Sequence, residues 1–278
     1  MKRKLIIFTI MTLIILVFKN YQLVLSSTID GVNIWLYKVF PYLFIIIIIQ
    51  DLLINLNFAN FFKRTSTYIF FMSIISGSPS NAYIISKLVK EGKITKDYGN
   101  TCLLFTFFTN PLFLYSILNI IFNSLYMTIK IMIIIYISNF IIYLYYKKDL
   151  PVTNMYGKPS NINLPSSIKS SINTNLMVLG SIVFYFIISS ILINTFNIGY
   201  PFNIFLRGLL EMTQGLNDVI YLNSDIKVIT TVIFITFGGL SIHTQVKCIL
   251  DEYGLDYKYF FKGRILQLVI AAILASFT

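Results

Sequence analysis

Charged residues are scarce in this chain, and clusters of small and polar residues fall where a helix would break. Ser76-Gly77-Ser78-Pro79-Ser80-Asn81 interrupts one apolar run, and Gly238-Gly239-Leu240-Ser241-Ile242-His243 interrupts another. Thr109-Asn110-Pro111 breaks a third, where proline removes a backbone donor and frees a carbonyl about one turn earlier. The second half of a broken helix begins with unpaired N–H groups at the positive end of its dipole, a natural seat for an anionic oxygen. Thr109 and Asn110 could add side-chain hydrogen bonds. Glu211 lies in an apolar stretch with Arg207 one turn before it. Charges at membrane depth are costly and face a cavity or each other. Two readings stay open: an i,i+4 pair that neutralises both, or Glu211 as a coupling site for a proton or cation with Arg207 clamping an anion. Gln214 shares part of that face and could bind solute or glue helices together. His243, the only histidine, could titrate near neutral pH. Small residues at the breaks also have a plainer use, letting helices approach closely.

These groups must be positioned by an apolar scaffold. Hydrophobic residues make up 56% of the 278 and charged residues 12%, about half the share usual in soluble domains. Seven segments rich in Ile, Leu, Phe and Tyr approach the roughly 20 residues that span a bilayer. A soluble enzyme, a disordered chain and a nucleic-acid-binding module are poor fits. The expected fold is all-α and polytopic. The net charge of +11 comes largely from segment ends such as Lys2-Arg3-Lys4, Lys63-Arg64 and Lys147-Lys148, so it reads as topology rather than as a polyanion site. Cys102 and Cys248 suggest neither a disulfide framework nor a metal site, and no cofactor is implied. No nucleophile–base set argues for an enzyme. A homo-oligomer is compatible with the sequence.

Residues 1–25 read as an uncleaved anchor with its N-terminus in the cytoplasm, 26–33 as a short external loop, and 34–56 as the return. The short apolar piece before Gly77 and the lysines 87, 90, 93 and 96 after it predict a re-entrant helical hairpin over 65–87. Segments 102–122, 126–146 and 175–196 read as crossings, with a polar, proline-bearing linker over 147–174. Gly77 and Gly92 are spaced like Gly239 and Gly254, and an offset of 162 aligns the two broken segments. Three crossings between them would invert the second copy. The domains are therefore an anchor (1–25), a first repeat (26–146), the linker and a second repeat (175–278). Inverted repeats with broken helices are an architecture of secondary transporters.

The chain resembles the YlbJ family of sporulation integral membrane proteins, related to nucleoside-recognition gate domains. The resemblance rests on Phe40-Pro41, Ser76-Gly77-x-Pro79 and Pro111-Leu112-Phe113 in the first half. In the second half it rests on Gly208-Leu209-x-Glu211-x-Thr213-x-Gly215, on Gly239-Leu240-Ser241-x-x-x-Gln245-Val246, and on Phe260-Phe261-x-x-Arg264-x-Leu266-Gln267. It implies a role in endospore formation and, for one branch, movement of dipicolinate across the outer forespore membrane. Two breaks would then offer two half-helix ends to the two carboxylates of a rigid dianion. The residues this reading brings together are Gly77, Ser78, Pro79, Ser80, Asn81, Thr109, Asn110, Arg207, Glu211, Gln214, Gly239, Ser241, His243 and Gln245. The chain departs from the family pattern at Asn81-Ala82-Tyr83, where a basic residue is usual, and at Phe107-Phe108. A non-transporting scaffold and a carrier of a nucleoside-like solute are the alternatives.

Overall fold

A computed structural model describes residues 2–152 and 161–277, so residues 153–160 of the expected linker lie outside the described part. Among the described residues there are helices and no strands.

Helix α1 (Lys2–Lys19) meets α2 (Tyr21–Ile34) at Asn20, and a π turn (Trp35–Val39) joins α2 to α3 (Phe40–Asn55). The external loop expected at 26–33 is helical instead. Ser26 and Thr28 hydroxyls bond back to the carbonyls of Leu23 and Val24, and Ser27 bonds to Ser190, so these polar residues satisfy themselves inside a helix. The π turn precedes Pro41, which has no N–H to give its own turn, and Phe40 N–H reaches back five residues to the Trp35 carbonyl.

Helices α4 (Thr65–Ser76) and α5 (Ser80–Lys90) fold back on each other around Gly77–Pro79. The open end of this hairpin lies at the C-terminus of α3, where Lys93 Nζ donates to the Ile54 carbonyl at 2.5 Å. Helix α6 (Lys96–Leu103), an irregular stretch over 104–110 and α7 (Pro111–Phe122) follow. Helix α8 (Leu125–Tyr146) runs back, and α9 (Leu164–Phe196) lies along α2 and α3. Helices α10 (Phe202–Leu210) and α11 (Met212–Asp218) form a second hairpin, closed at its base by Tyr200 Oη donating to the Tyr221 carbonyl at 3.3 Å. Its arms touch backbone to backbone: a methyl on Gly215 would sit 2.2 Å from Gly208 Cα. Helices α12 (Ser224–Phe237), α13 (Gly239–Tyr253) and α14 (Tyr257–Ala275) complete the chain.

Four helical runs are long and apolar enough to cross a membrane: Tyr21–Asn55, Leu125–Asp149, Leu164–Phe196 and Ile226–Tyr253. Helices α4 and α7 are shorter apolar pieces. Ile129, Ile133, Ile137 and Ile141 form an exposed ridge along α8. A continuous apolar face of that kind is a surface for lipid rather than water. The polar minority turns inward, where Asp51, Lys93, Glu211, Arg264 and Gln267 are buried.

The 162-residue alignment pairs segments of different geometry. Gly77 sits at the tip of a hairpin, whereas Gly239 sits at a bend within the run Ile226–Tyr253. The charged turns that were to lie on opposite sides are neighbours: Asp256 N–H donates to Asn100 Oδ1 at 2.9 Å, and Lys90 Nζ stands 5.1 Å from the Tyr253 ring centre. The spacing Gly-x₁₄-Gly misleads because one glycine pair serves a hairpin and the other a bent helix, and left-handed backbone suits both.

Candidate functional site

Four interruptions of helical backbone face one cavity of about 80 Å³. The tip of the first hairpin supplies Ser76, Ser78 and Pro79, and the irregular stretch before α7 supplies Thr109 and Asn110. The tip of the second hairpin supplies Glu211, Met212 and Thr213, while Ile242 and Gln245 come from the turn after the α12–α13 bend. Lys38 and Tyr42 approach from the π turn and α3, and Val178 and Ile182 of α9 close another wall.

Local chemistry explains each interruption. Gly77 has φ 71°, and a side chain there would strike the Asn110 backbone, so the first tip and the 104–110 stretch meet only through glycine. Ser78 N–H donates to the Phe108 carbonyl at 2.7 Å, and Asn81 Nδ2 donates to the Thr106 carbonyl. Asn110 caps α7, its Oδ1 accepting from Leu112 and Phe113 N–H at 3.0 and 3.3 Å. Glu211 is extended, with φ −141° and ψ 115°, and caps α11 by accepting from Gln214 N–H at 2.8 Å and from the Thr213 hydroxyl. At the fourth interruption Gly238 and Gly239 both have positive φ, and Gly239 packs on the Met212 amide. Each hairpin tip thus rests on one bent or irregular segment.

The lining has the composition of a binding site. The hydroxyls of Ser76, Ser78 and Thr109 are buried and find no partner among the described residues. Unpaired buried donors cost about 1–3 kcal/mol each, so three around one cavity point to a ligand or ordered water. Lys38 and Glu211 are the charged residues of the described lining. Glu211 is 2% exposed and has no cation within ion-pair range among the described residues.

Seven of the sequence-predicted residues line the cavity: Ser78, Pro79, Thr109, Asn110, Glu211 and Gln245 directly, with Gly77 shaping its wall. Others serve the scaffold. The Arg207–Glu211 pair is not formed, because α10 ends at Leu210 and turns Glu211 away; Arg207 pairs with Asp218 across the hairpin at 2.5 Å. Gln214 accepts from Ser189 of α9 at 2.6 Å. Ser80 bonds to the Gly77 carbonyl at 3.4 Å, Ser241 accepts from Gln245 Nε2 at 3.1 Å, and Gly239 supports the Met212 amide. His243 faces α14: Nε2 lies 3.0 Å from the Phe237 carbonyl and Nδ1 2.6 Å from Tyr257 Oη. A carbonyl only accepts, so Nε2 donates to Phe237, and Nδ1 and the Tyr257 hydroxyl satisfy each other, which leaves the ring fully bonded away from the cavity.

Sequence reasoning missed Lys38, Tyr42 and Thr213. Phe40-Pro41 signals the first two, since a proline inside an apolar run marks a place where helix geometry changes. It also missed Asp51, which receives Lys87 Nζ and Tyr83 Oη at 2.7 Å each, and Arg264, whose guanidinium stacks 3.9 Å from the Phe107 ring centre and donates to Gln267. Among the described residues no group of His, Cys, Asp and Glu gathers as for a metal ion.

Apolar outward faces, four spanning-length runs and a buried polar centre define an all-helical integral membrane protein. The chain is similar to the sporulation integral membrane protein YlbJ of Bacillus subtilis (strain 168), at 24% identity over 305 aligned positions that cover 87% of this chain and 74% of that protein. No family profile and no solved structure matches the chain.

Proposed function

We propose that this protein is a membrane transporter of a small carboxylate anion, with dipicolinate the foremost candidate, acting during sporulation in the outer forespore membrane. The observation that carries the reading is the meeting of four helix interruptions at one cavity with three unpartnered hydroxyls. A scaffold would need neither. The N-termini of α5 and α7 and the Lys38 ammonium offer positive potential to carboxylates. Glu211 repels an anion when ionised and tolerates one when protonated or cation-bound, which makes it the coupling group for a proton or cation. The similarity to YlbJ supports the sporulation setting.

The same reading gives the chain inverted repeats. One unit runs α4 to α8 and the other α10 to α14, each a re-entrant hairpin followed by an interrupted helix and a closing helix. The first hairpin opens near Lys93, on the side of Lys63, Arg64 and Lys147, which is cytoplasmic by the positive-inside tendency. The second opens at Tyr200 and Tyr221, beside the far end of α7. No enzymatic step and no nucleic-acid partner enter this function.

Equilibrium binding of labelled dipicolinate to detergent-purified protein tests the site. Saturable binding should weaken about 10- to 100-fold in Thr109→Val or Lys38→Gln, the cost of one hydrogen bond to a charged ligand. Binding that neither substitution alters, or that nucleosides displace as well as dicarboxylates do, would sink the assignment.

A further inference from the structure

On the lysine-rich side of the break cavity, the structure holds two further cavities of about 310 and 470 Å³. They share Tyr83, Lys90, Ser170 and Tyr253, so they lie side by side at those residues. Their walls come mainly from α5, α9 and α13, with Asp51 and Asn55 of α3, and the α9 wall is a polar stripe with Ser166, Ser170, Asn173 and Thr174. Helices α9 and α13 and the turn that enters α5 line the break cavity farther up.

The separation between the two spaces can be read from residue numbers. Pro79, just before α5, lines the break cavity, and Tyr83 one turn into the helix lines the lower space. On α13, Gln245 lines the first and Ile249 the second, and on α9 Val178 lines the first and Thr174, four residues earlier, the second. Four residues of helix rise about 6 Å, so a single layer of side chains stands between the two. That layer is Tyr83, Ile249 and Val178, exposed by 6%, 5% and 1%.

Tyr83 is the polar member of the layer, and it is tied down. Its hydroxyl donates to Asp51 Oδ1 on α3 at 2.7 Å, and Asp51 also holds Lys87 Nζ at 2.7 Å. Glu91 lies 3.7 Å from Lys87 and 3.0 Å from Lys93, whose ammonium returns to α3 at the Ile54 carbonyl. A chain of charged side chains therefore fixes the ring that stands between the two spaces.

We propose that the two lower cavities are one water-filled vestibule through which a small hydrophilic solute reaches the break cavity, and that Tyr83, latched to Asp51, is the gate between them. The solute is the carboxylate of the proposed function, and this inference rests on that reading for its purpose. The vestibule is a conduit rather than a second anion site, because Lys87 and Lys90 are offset there by Asp51, Glu91 and Glu252.

The chain carries its own probe. Cys248 lines the vestibule and is exposed, whereas Cys102 is fully buried. Proteoliposomes carrying the Cys102→Ser protein would be treated with a charged, membrane-impermeant methanethiosulfonate, and a second set would carry Cys248→Ser with Ile242→Cys in the break cavity. Cys248 should react readily and Ile242→Cys slowly. Adding Tyr83→Phe should speed the reaction at 242 about tenfold, the size expected from releasing one hydrogen bond to a carboxylate, and leave the rate at Cys248 unchanged. Tyr83→Ala should speed it at least as much. Reaction of Cys248 with a lipid-soluble maleimide but not with the charged reagent would overturn the vestibule. A rate at 242 that neither Tyr83 substitution changes would overturn the gate. Labelling needs no substrate, so a dry vestibule with intact dipicolinate uptake refutes this inference alone, and a hydrated one without uptake refutes the transport reading alone.

Discussion

Replacing Gly77 by alanine tests the contact on which the site is built. The backbone there has φ 71° and ψ −179°, a region essentially reserved for glycine, and holding alanine in it costs about 1–3 kcal/mol. The added methyl would also lie 2.6 Å from the Asn110 nitrogen and 3.0 Å from its Cα. Both are backbone atoms at the start of a helix, so they cannot swing aside as a side chain would. Overpacking of this kind costs about another 1–3 kcal/mol. Relief by moving the tip would sacrifice the 2.7 Å bond from Ser78 N–H to the Phe108 carbonyl and open the wall of the cavity. The expected loss is about 2–6 kcal/mol, read as a melting temperature lower by about 5–15 °C in detergent. Dipicolinate binding should be lost with it. Gly180→Ala is the control: it lies within α9 with no atom within 4 Å of a new methyl, and it should stabilise by about 0.5–1 kcal/mol. If Gly77→Ala melted and bound ligand as the native protein does, the reasoning from tip to cavity would be refuted.

Three further outcomes separate the cavity from its scaffold. Glu211→Gln keeps an acceptor for the Gln214 amide, so the protein should fold, while uptake should lose its dependence on a proton or cation gradient; uptake that still follows the gradient would remove Glu211 from coupling. Arg207→Gln breaks a partly exposed pair with Asp218, so stability should fall by about 1 kcal/mol or less with no change in dipicolinate affinity, and a large loss of affinity would restore Arg207 to the site. His243→Gln should leave the pH profile of uptake unshifted, because both ring nitrogens are engaged by Tyr257 and Phe237 and the ring does not line the cavity; a displaced profile would show that histidine titrates during transport.

The apolar content, the break at Ser76–Asn81 and the break at Thr109–Pro111 were legible because proline and glycine act on the backbone locally. Gly77, Ser78, Pro79, Thr109 and Asn110 meet at the cavity for that reason. The tip at Glu211 was hidden: no proline or glycine sits there, and the chain turns because Gly208 and Gly215 let two arms touch, a long-range fact. That concealment produced the false Arg207–Glu211 pair and moved the second hairpin from 202–218 to the Gly239 segment. The run of Ser, Thr and Asn at 26–33 looked like a loop by composition, yet its hydroxyls bond within and between helices. Asp51 and Lys87 stand 36 positions apart in the chain, and only packing of α3 on α5 makes them partners.

Movement of solute across a membrane is the most direct measure of the proposed function. Labelled dipicolinate should accumulate in proteoliposomes above the level in protein-free vesicles, respond to an imposed ion gradient, and fail to accumulate with the Gly77→Ala protein. Equal label in both kinds of vesicle, under every proton and sodium gradient applied and with native protein shown to be folded, would contradict it.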